Sequence, residues 1–200
     1  MTRLLPCLAG ALLAAAACPA ESAGSAESEP TRYQLDPVHT QVFFSLSHLG
    51  FSRPSGRFAI KDGWFRFDEE RWERSSCSVT IAVETLDFGD AAWQKKVLSD
   101  EFFDVKQHPE MKYECTGIEK TGDDTGKLTG KLTLHGQTRE VSLELRLNKV
   151  GTHSYTFQKM AGFSAHGTLK RSDFGMRALL PGVGDEVELR IEAEGKRKSE

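Results

Sequence analysis

The chain has 200 residues, of which 38% are hydrophobic and 28% charged, and its 26 basic and 29 acidic residues give a formal net charge of −3. This composition supports one globular domain, or at most two small ones, and excludes a wholly disordered chain. A mildly acidic chain without a basic block has no electrostatic footprint for nucleic acid, which excludes that class of partner. Past residue 20, no stretch is long and apolar enough to be a membrane-spanning helix.

The first 20 residues have the features of an export signal. Arg3 is their only charged residue, residues 8–17 are apolar, and small residues follow. Residues 21–31 are predicted to be a flexible tether, because Ala, Ser, Glu, Gly and Pro provide nothing to pack. The N-terminus therefore predicts a periplasmic or secreted protein.

Two kinds of processing fit this leader. Residues 15–18 (AAAC) resemble the lipobox of bacterial lipoproteins, in which cleavage before Cys18 makes that cysteine the lipidation site and anchors the protein to a membrane. Ala15 in place of the usual Leu, and Pro19 directly after the cysteine, favour ordinary cleavage near Ala20 instead. Both interpretations stay open at this point.

Beyond the tether, apolar and polar side chains alternate with a period of two, which is typical of strands with one buried face. Eight such runs occupy residues 42–48, 58–67, 77–83, 111–115, 128–134, 141–147, 163–169 and 187–193. Turns are predicted at Asp62-Gly63, at residues 121–124, at residues 135–137 and at residues 182–185. Between the third and fourth runs, residues 90–98 have helical composition, with Asp90 as the N-cap.

Antiparallel strands with one apolar face need a second sheet or closure into a barrel, and eight strands can close. The pattern thus predicts an all-β, eight-stranded antiparallel barrel with one inserted helix. Many inward side chains are large, so the pattern leaves open whether they fill the barrel or surround an apolar pocket. The candidate ligand-binding residues are the inward side chains of the runs and two phenylalanines after the helix: Val42, Phe44, Leu46, His48, Phe58, Phe65, Phe67, Val79, Ile81, Val83, Phe102, Phe103, Met111, Tyr113, Leu132, Leu134, Leu143, Leu145, Phe163, Leu169, Leu189 and Ile191.

The polar candidates for metal binding or catalysis are Asp36, His39 and His48. The two histidines flank the first run, nine residues or ~30 Å apart in an extended chain, so they cannot share one metal ion. No other histidine has ligand spacing, and we predict no metal site and no catalytic residue. Asp36 is predicted to form an Asx turn that precedes the strand, and His48 is either a structural histidine or a contact to a ligand head group.

Three other segments have more than one interpretation each. Arg171 and Asp173 form either a local ion pair or a polar gate near a head group. Residues 176–183 (MRALLPGV) are unusually apolar for a loop and form a cavity lid, a membrane-touching edge or a segment packed on the barrel. Phe102 and Phe103 either plug one barrel end or pack in the core, and core packing accounts for at least one of them.

Cys77 and Cys115 are the two cysteines of the folded domain, and both face inward on neighbouring runs. If these runs pair antiparallel, the two Cβ atoms lie ~5 Å apart, close to disulfide geometry. We predict a disulfide in an oxidising compartment, the alternative being two buried thiols.

A series of short motifs runs in order through residues 32–195. They are YQLDPVHT (33–40), VxFxLxH (42–48), GRF (56–58), LDFG (86–89), FFDV (102–105) with HP (108–109), LTGKLTLHG (128–136), GFSA (162–165), RSDFG (171–175) and VGDEV (183–187). Together these motifs resemble the YceI-like family of bacterial lipid- and polyisoprenoid-binding proteins. The resemblance covers the predicted domain, residues 32–195, and leaves residues 196–200 as a charged tail.

This resemblance implies a lipocalin-like barrel with a helix inserted after the third strand and a long cavity for an isoprenoid chain. The ligand would be a polyprenyl lipid or the tail of an isoprenoid quinone, bound by an exported carrier or storage protein that needs no cofactor and is not an enzyme. A membrane donor or acceptor protein is the implied partner.

Two other functions are open alternatives. One is an enzyme that acts on a lipid or quinone head group with His48 and either Asp36 or Arg171. The other is a filled barrel that serves as a partner of a membrane cytochrome. Self-association through a strand edge also stays open.

Overall fold

In the computed structural model, which describes residues 29–198, the alternating sequence forms nine antiparallel strands and one α-helix. The strands are β1 (Thr31–Leu35), β2 (Gln41–His48), β3 (Ser55–Phe67), β4 (Ser76–Ala82), β5 (Glu110–Lys120), β6 (Thr125–Leu134), β7 (Gln137–Thr152), β8 (Lys159–Lys170) and β9 (Val183–Arg197), and helix α1 is Ala91–Val97. The predicted signal, lipobox and Cys18, with most of the tether, lie outside the described residues. Within those residues, no helix is long and apolar enough to cross a membrane.

The strands close into one barrel. Their order is β3–β2–β9–β8–β7–β6–β5–β4, and β4 pairs back with β3. Strand β1 lies between β3 and β9, beyond the end of β2 along the same line of pairing. Because β1 and β2 share one position, the nine strands fill eight positions, which confirms the predicted eight-stranded antiparallel barrel.

Strand β3 corrects one predicted turn. Asp62-Gly63 is not a turn but lies inside β3, at a shift in its register with β4. Such a shift is a β-bulge, which bends a strand without ending it. The bend lies where β1 replaces β2 beside β3: Gln34 Nε2 donates to Asp62 Oδ1 at 2.8 Å, and a Cβ on Gly63 would come 2.7 Å from Leu35 Cδ1.

The last strand is longer at both ends than the sequence pattern indicated. Three of the four residues predicted as a turn at 182–185 belong to β9, which begins at Val183 because it pairs there with His48. At the other end β9 continues through Lys196 and Arg197, which pair with Gln34 and Tyr33 of β1. The first two residues of the predicted charged tail are therefore part of the barrel.

The helix is inserted between β4 and β5, at the place the sequence predicted. Its N-cap is Asp90, whose Oδ1 accepts a hydrogen bond of 2.7 Å from the Trp93 backbone N–H. After the helix the chain returns to the barrel, where the Phe103 ring packs edge-on against Phe58 at 5.5 Å. The insert therefore covers the barrel end at which β2 and β8 finish.

The opposite end of the barrel is filled. Residues 68–75 cross it between β3 and β4 and bury Trp72, whose indole N–H donates to Glu69 O at 3.2 Å. The Trp72 ring packs edge-on against Phe67 at 5.3 Å, and Phe67 packs in the same way against Phe163 at 5.0 Å. These rings form an aromatic plug that closes this end of the barrel.

Candidate functional site

An apolar cavity of about 390 Å³ occupies the barrel between the plug and the α1 end. Most of the predicted ligand-binding residues line it: Val42, Phe44, Leu46, His48, Phe58, Val79, Ile81, Phe102, Phe103, Met111, Tyr113, Leu132, Leu134, Leu143, Leu169, Leu189 and Ile191. The lining also includes residues outside that candidate list. Ile60, Val141, Val187 and Ala193 belong to the inward faces of the predicted runs, and the others include Leu35, Phe88, Trp93, Met176, Leu179 and Val183. The volume falls within the range of small-molecule sites.

The cavity is elongated along the strands. On β9 its lining runs from Val183 to Ala193, roughly 33 Å at about 3.3 Å per residue. Val187, Leu189 and Ile191 point into the barrel yet are only half-buried, because each presents a face to this internal space. The site is therefore a channel that runs beside successive inward side chains.

One end of the channel is open. The lining residues with exposed side chains are Trp93, Lys96 and Leu179, which come from α1 and from the loop between β8 and β9. His48, at the end of β2, lies beside them with its ring 6.3 Å from that of Trp93. These four residues mark the mouth of the cavity.

Five of the predicted ligand-binding residues do not line this cavity. Phe65, Phe67, Leu145 and Phe163 surround a separate space of about 120 Å³ beside the plug, and Val83 is buried after β4 and borders neither space. Strand alternation states which side chains point inward, but it contains no information about depth along the barrel axis. The prediction therefore merged the residues of the channel with those of the plug.

Tyr113 separates the two internal spaces and contacts both of them. Its phenol O–H donates to Val141 O at 3.0 Å, and burial raises the pKa of Tyr113. The ring lies over Gly130, where an added Cβ would come 2.6 Å from Tyr113 Cζ. Only glycine allows this approach, so Gly130 permits the position of the Tyr113 ring at the floor of the cavity.

Arg171 makes a set of backbone hydrogen bonds that neither predicted role, the ion pair with Asp173 or the polar gate, included. It does not pair with Asp173; its buried guanidinium instead donates to the carbonyl oxygens of Met176, Ala178, Val183 and Gly184 at 2.8–2.9 Å. Burial lowers the pKa of Arg171 from its ordinary value. The carboxylate of Asp185 accepts from the Ser172 backbone N–H and hydroxyl. Arg171 thus fixes the loop between β8 and β9. In this loop, Met176 is buried against the barrel, whereas Leu179 is exposed at the mouth.

Asp36 forms the predicted Asx turn. Its Oδ1 accepts from the Val38 backbone N–H at 2.9 Å, and its Oδ2 lies 2.9 Å from Lys196 Nζ and 3.2 Å from His39 Nδ1. The hydrogen bond from Lys196 holds the pKa of Asp36 below its ordinary value.

The acid–base pair of the enzyme alternative is not assembled in this structure. Asp36 is on the β1–β2 connection and outside the cavity lining, whereas His48 lies at the mouth. Among the described residues, no group of three or more His, Cys, Asp and Glu is placed to hold a metal ion.

Cys77 and Cys115 lie directly opposite each other on β4 and β5, which confirms the predicted register. Both are free thiols in the structure, so the predicted disulfide is not formed there. They are close enough to share a hydrogen bond, and this bond together with burial raises the pKa of Cys77. Both cysteines line the smaller space beside the plug and neither lines the main cavity, so the pair lies in the barrel wall away from the mouth.

Comparison with known sequences identifies the chain's relatives. A family model described as the YceI-like domain matches residues 33–195. The chain belongs to the YceI-like family. It is 36% identical over 177 residues to a UPF0312 protein of Pectobacterium atrosepticum, covering 88% of this chain and 91% of that protein. It is also 36% identical over 174 residues to protein YceI of Escherichia coli, covering 87% and 90% of the two chains.

Solved structures share the fold. BcnA of Burkholderia cenocepacia has a TM-score of 0.70 at 22% identity, over 80% of this chain and 98% of that one. A Campylobacter jejuni YceI protein has a TM-score of 0.68 at 29% identity, over 76% and 90%. A Saccharophagus degradans domain described as polyisoprenoid-binding and implicated in plant cell wall breakdown has a TM-score of 0.64 at 13% identity, over 83% and 98%. The lipocalin-like barrel is therefore the fold of this chain.

Proposed function

We propose that this protein is exported and holds a polyisoprenoid lipid, or the tail of an isoprenoid quinone, as a carrier or storage protein. The observation that carries the proposal is the channel of about 390 Å³ with an apolar lining, a closed floor and one open mouth. The proposal is also supported by the structural neighbour that is described as polyisoprenoid-binding.

The lining suits a hydrocarbon chain better than a polar substrate. The buried polar groups of the lining are already bonded to the protein: Arg171 and Tyr113 donate to backbone carbonyls, and the Thr40 hydroxyl donates to Glu194 O at 3.3 Å. His48 and Lys96 lie at the mouth, where a head group would meet them. Hydrocarbon would thus enter tail first and leave its polar end at the opening.

The energetics favour a carrier that exchanges its ligand readily. Burial contributes roughly 0.8 kcal/mol per CH₂, so one five-carbon isoprene unit carries about 3–4 kcal/mol of transfer free energy from water. Several units make the free lipid insoluble in water, whereas transfer from a bilayer to the channel moves hydrocarbon between two apolar phases. We therefore expect strong protection from water and a small net preference over the membrane.

The two alternative functions have less support from the geometry. A filled barrel is disfavoured because the aromatic plug fills one end only and leaves the channel above it. A head-group enzyme is disfavoured because Asp36 is held by Lys196 away from His48, and because the guanidinium of Arg171 already donates to carbonyl oxygens of the loop.

A matched pair of tryptophan substitutions tests the proposal. Val187 lines the channel between Leu46 and Leu169, whereas the adjacent Glu186 is exposed on the outer face of β9. In a titration with geranylgeraniol, Val187→Trp should weaken binding by about tenfold or more, because the indole occupies ligand space. Glu186→Trp should bind like the unmodified protein. Equal binding by all three proteins would show that the ligand is not in the channel.

A further inference from the structure

The mouth of the cavity carries exposed apolar side chains on two adjacent loops. Phe51, in the loop between β2 and β3, is 90% exposed, and Leu49 beside it is 58% exposed. Leu179, in the loop between β8 and β9, is also 58% exposed. The mouth patch consists of these three side chains, Leu49, Phe51 and Leu179, together with Trp93 of α1.

The structure holds the two loops together. The Leu49 backbone N–H donates to Gly182 O at 2.7 Å, and a Cβ on Gly182 would lie 3.0 Å from Leu49 Cδ2. Within the loop between β8 and β9, the Val183 N–H donates to Leu179 O at 2.9 Å, and Arg171 fixes this loop from inside the barrel. The exposed side chains therefore project from one braced rim and are not scattered singly over the surface.

The two loops that carry Leu49, Phe51 and Leu179 have arginine as their only charged residue type. Residues 49–54 (LGFSRP) and 175–182 (GMRALLPG) contain Arg53 and Arg177 and no carboxylate. Arg53 is paired with Glu188 of β9 at 2.8 Å, and Arg177 is exposed and takes part in none of the ion pairs of the described residues. Apolar tips flanked by arginine match a bilayer surface with anionic head groups, which attracts the cations and accepts the apolar side chains.

We propose that the mouth patch docks on the surface of an anionic lipid bilayer and holds the cavity opening against it. This inference rests on the proposed function, because it supplies the path by which an insoluble isoprenoid enters the channel without crossing water. Phe51 and Leu179 enter the interfacial region, and Trp93 lines both the patch and the cavity, so that apolar surface is continuous from bilayer to channel.

The chain offers a matched control at the other end of the barrel. Tyr155 and Phe157, in the loop between β7 and β8, are 88% and 79% exposed, and residues 151–158 hold no Lys, Arg, Asp or Glu. Leu179 and Phe157 both have a φ of 57°. Phe51→Ser/Leu179→Ser and Tyr155→Ser/Phe157→Ser therefore remove comparable exposed apolar surface from opposite ends, with one left-handed residue in each pair.

The experiment is flotation of the full chain with vesicles of phosphatidylcholine and phosphatidylglycerol, about 3:1, which present an anionic surface. Every protein carries Cys18→Ser, so that no acyl anchor can form. The parent should float with these vesicles, less so at high salt because the arginines are screened. Phe51→Ser/Leu179→Ser should reduce the partition coefficient by about tenfold or more, and the Tyr155→Ser/Phe157→Ser control should float like the parent.

Other outcomes separate docking from lipid binding. If the parent binds geranylgeraniol but does not float, or floats equally well with both double variants, docking at the mouth is overturned while the proposed function stands. If the parent floats through the mouth patch but binds no geranylgeraniol, docking stands and the proposed function fails. A parent that is dimeric in solution, becomes monomeric in Phe51→Ser/Leu179→Ser and does not float would assign the patch to a second copy of the chain and overturn the proposal. Unchanged thermal midpoints of both double variants would show that the comparison is between folded proteins.

Discussion

A single buried arginine determines the shape of the cavity rim. The buried guanidinium of Arg171 donates to four backbone carbonyls of residues 176–184. Guanidinium is suited to this task because it presents five N–H donors in a fixed plane. The loop that forms one side of the mouth is thus held by this side chain together with a few backbone hydrogen bonds, among them Leu49 N–H to Gly182 O.

Replacement of Arg171 by lysine should loosen the rim. A lysine ammonium cannot satisfy four carbonyls in one plane, so Arg171→Lys should lower the free energy of unfolding by about 2–4 kcal/mol. It should also speed hydrogen exchange across residues 176–184. Chemical denaturation and hydrogen exchange by mass spectrometry check both effects.

The control for this prediction is Arg177→Lys, which changes an exposed arginine of the same loop. It should leave the stability and the exchange rates unchanged. Equal protection of residues 176–184 in Arg171→Lys and in the unmodified protein would contradict the role assigned to Arg171.

The direction of each strand side chain could be predicted from the sequence, whereas its depth in the barrel and its long-range partners could not. Alternation correctly placed Phe44, Ile81 and Leu132 inside the barrel, because side-chain direction in a strand depends on parity alone. It could not place Phe67 in the plug, because depth depends on how strands are staggered. It also paired Arg171 with Asp173, the carboxylate close in sequence, since the backbone acceptors that bind Arg171 become neighbours only in the fold.

The pairing of β4 with β5 brings two thiols together across the α1 insertion. Cys77 and Cys115 are aligned without any shift of register, and both point into the barrel. This alignment satisfies the main geometric requirement for a disulfide between neighbouring strands. The structure contains the reduced pair, and an oxidising compartment would favour the bond.

We expect oxidation to join these strands. A disulfide would close a loop of about 38 residues and stabilise the fold by roughly 3–4 kcal/mol in the chain-entropy model. Thiol titration of the denatured, exported protein should therefore detect two more thiols with reductant than without it, and reductant should lower the thermal midpoint. Equal titres would show that Cys77 and Cys115 remain thiols.

At the scale of elements, the sequence predicted eight of the nine described strands and missed the short one. The eight runs, the N-cap at Asp90 and the His135-Gly136 turn all follow from local chemistry, and the structure contains each of them. Strand β1 has only five residues, of which Tyr33 and Leu35 are buried, so its alternation is too short to stand out. Asp62-Gly63 has turn chemistry, but pairing with Thr80 and Val79 of β4 keeps the strand continuous there.

The whole molecule is a barrel with two unlike ends. The alternation left a filled barrel and a hollow one open, and the structure contains both: an aromatic plug around Trp72 and Phe163, and a channel above Tyr113. The plug supplies the packed core that a barrel of this size needs for stability. The other end contains the apolar channel, its opening and the exposed side chains of the mouth patch, and the proposed functions depend on these features.

Native mass spectrometry of the exported full-length protein, purified without added lipid, tests whether the channel encloses an isoprenoid chain. An enclosed isoprenoid should appear as an adduct that organic solvent extracts and that fragments in steps of one C₅H₈ unit. This adduct should be absent from Val187→Trp and present in Glu186→Trp. The bare polypeptide mass alone, or an adduct that Val187→Trp retains in full, would show that the channel does not hold such a chain.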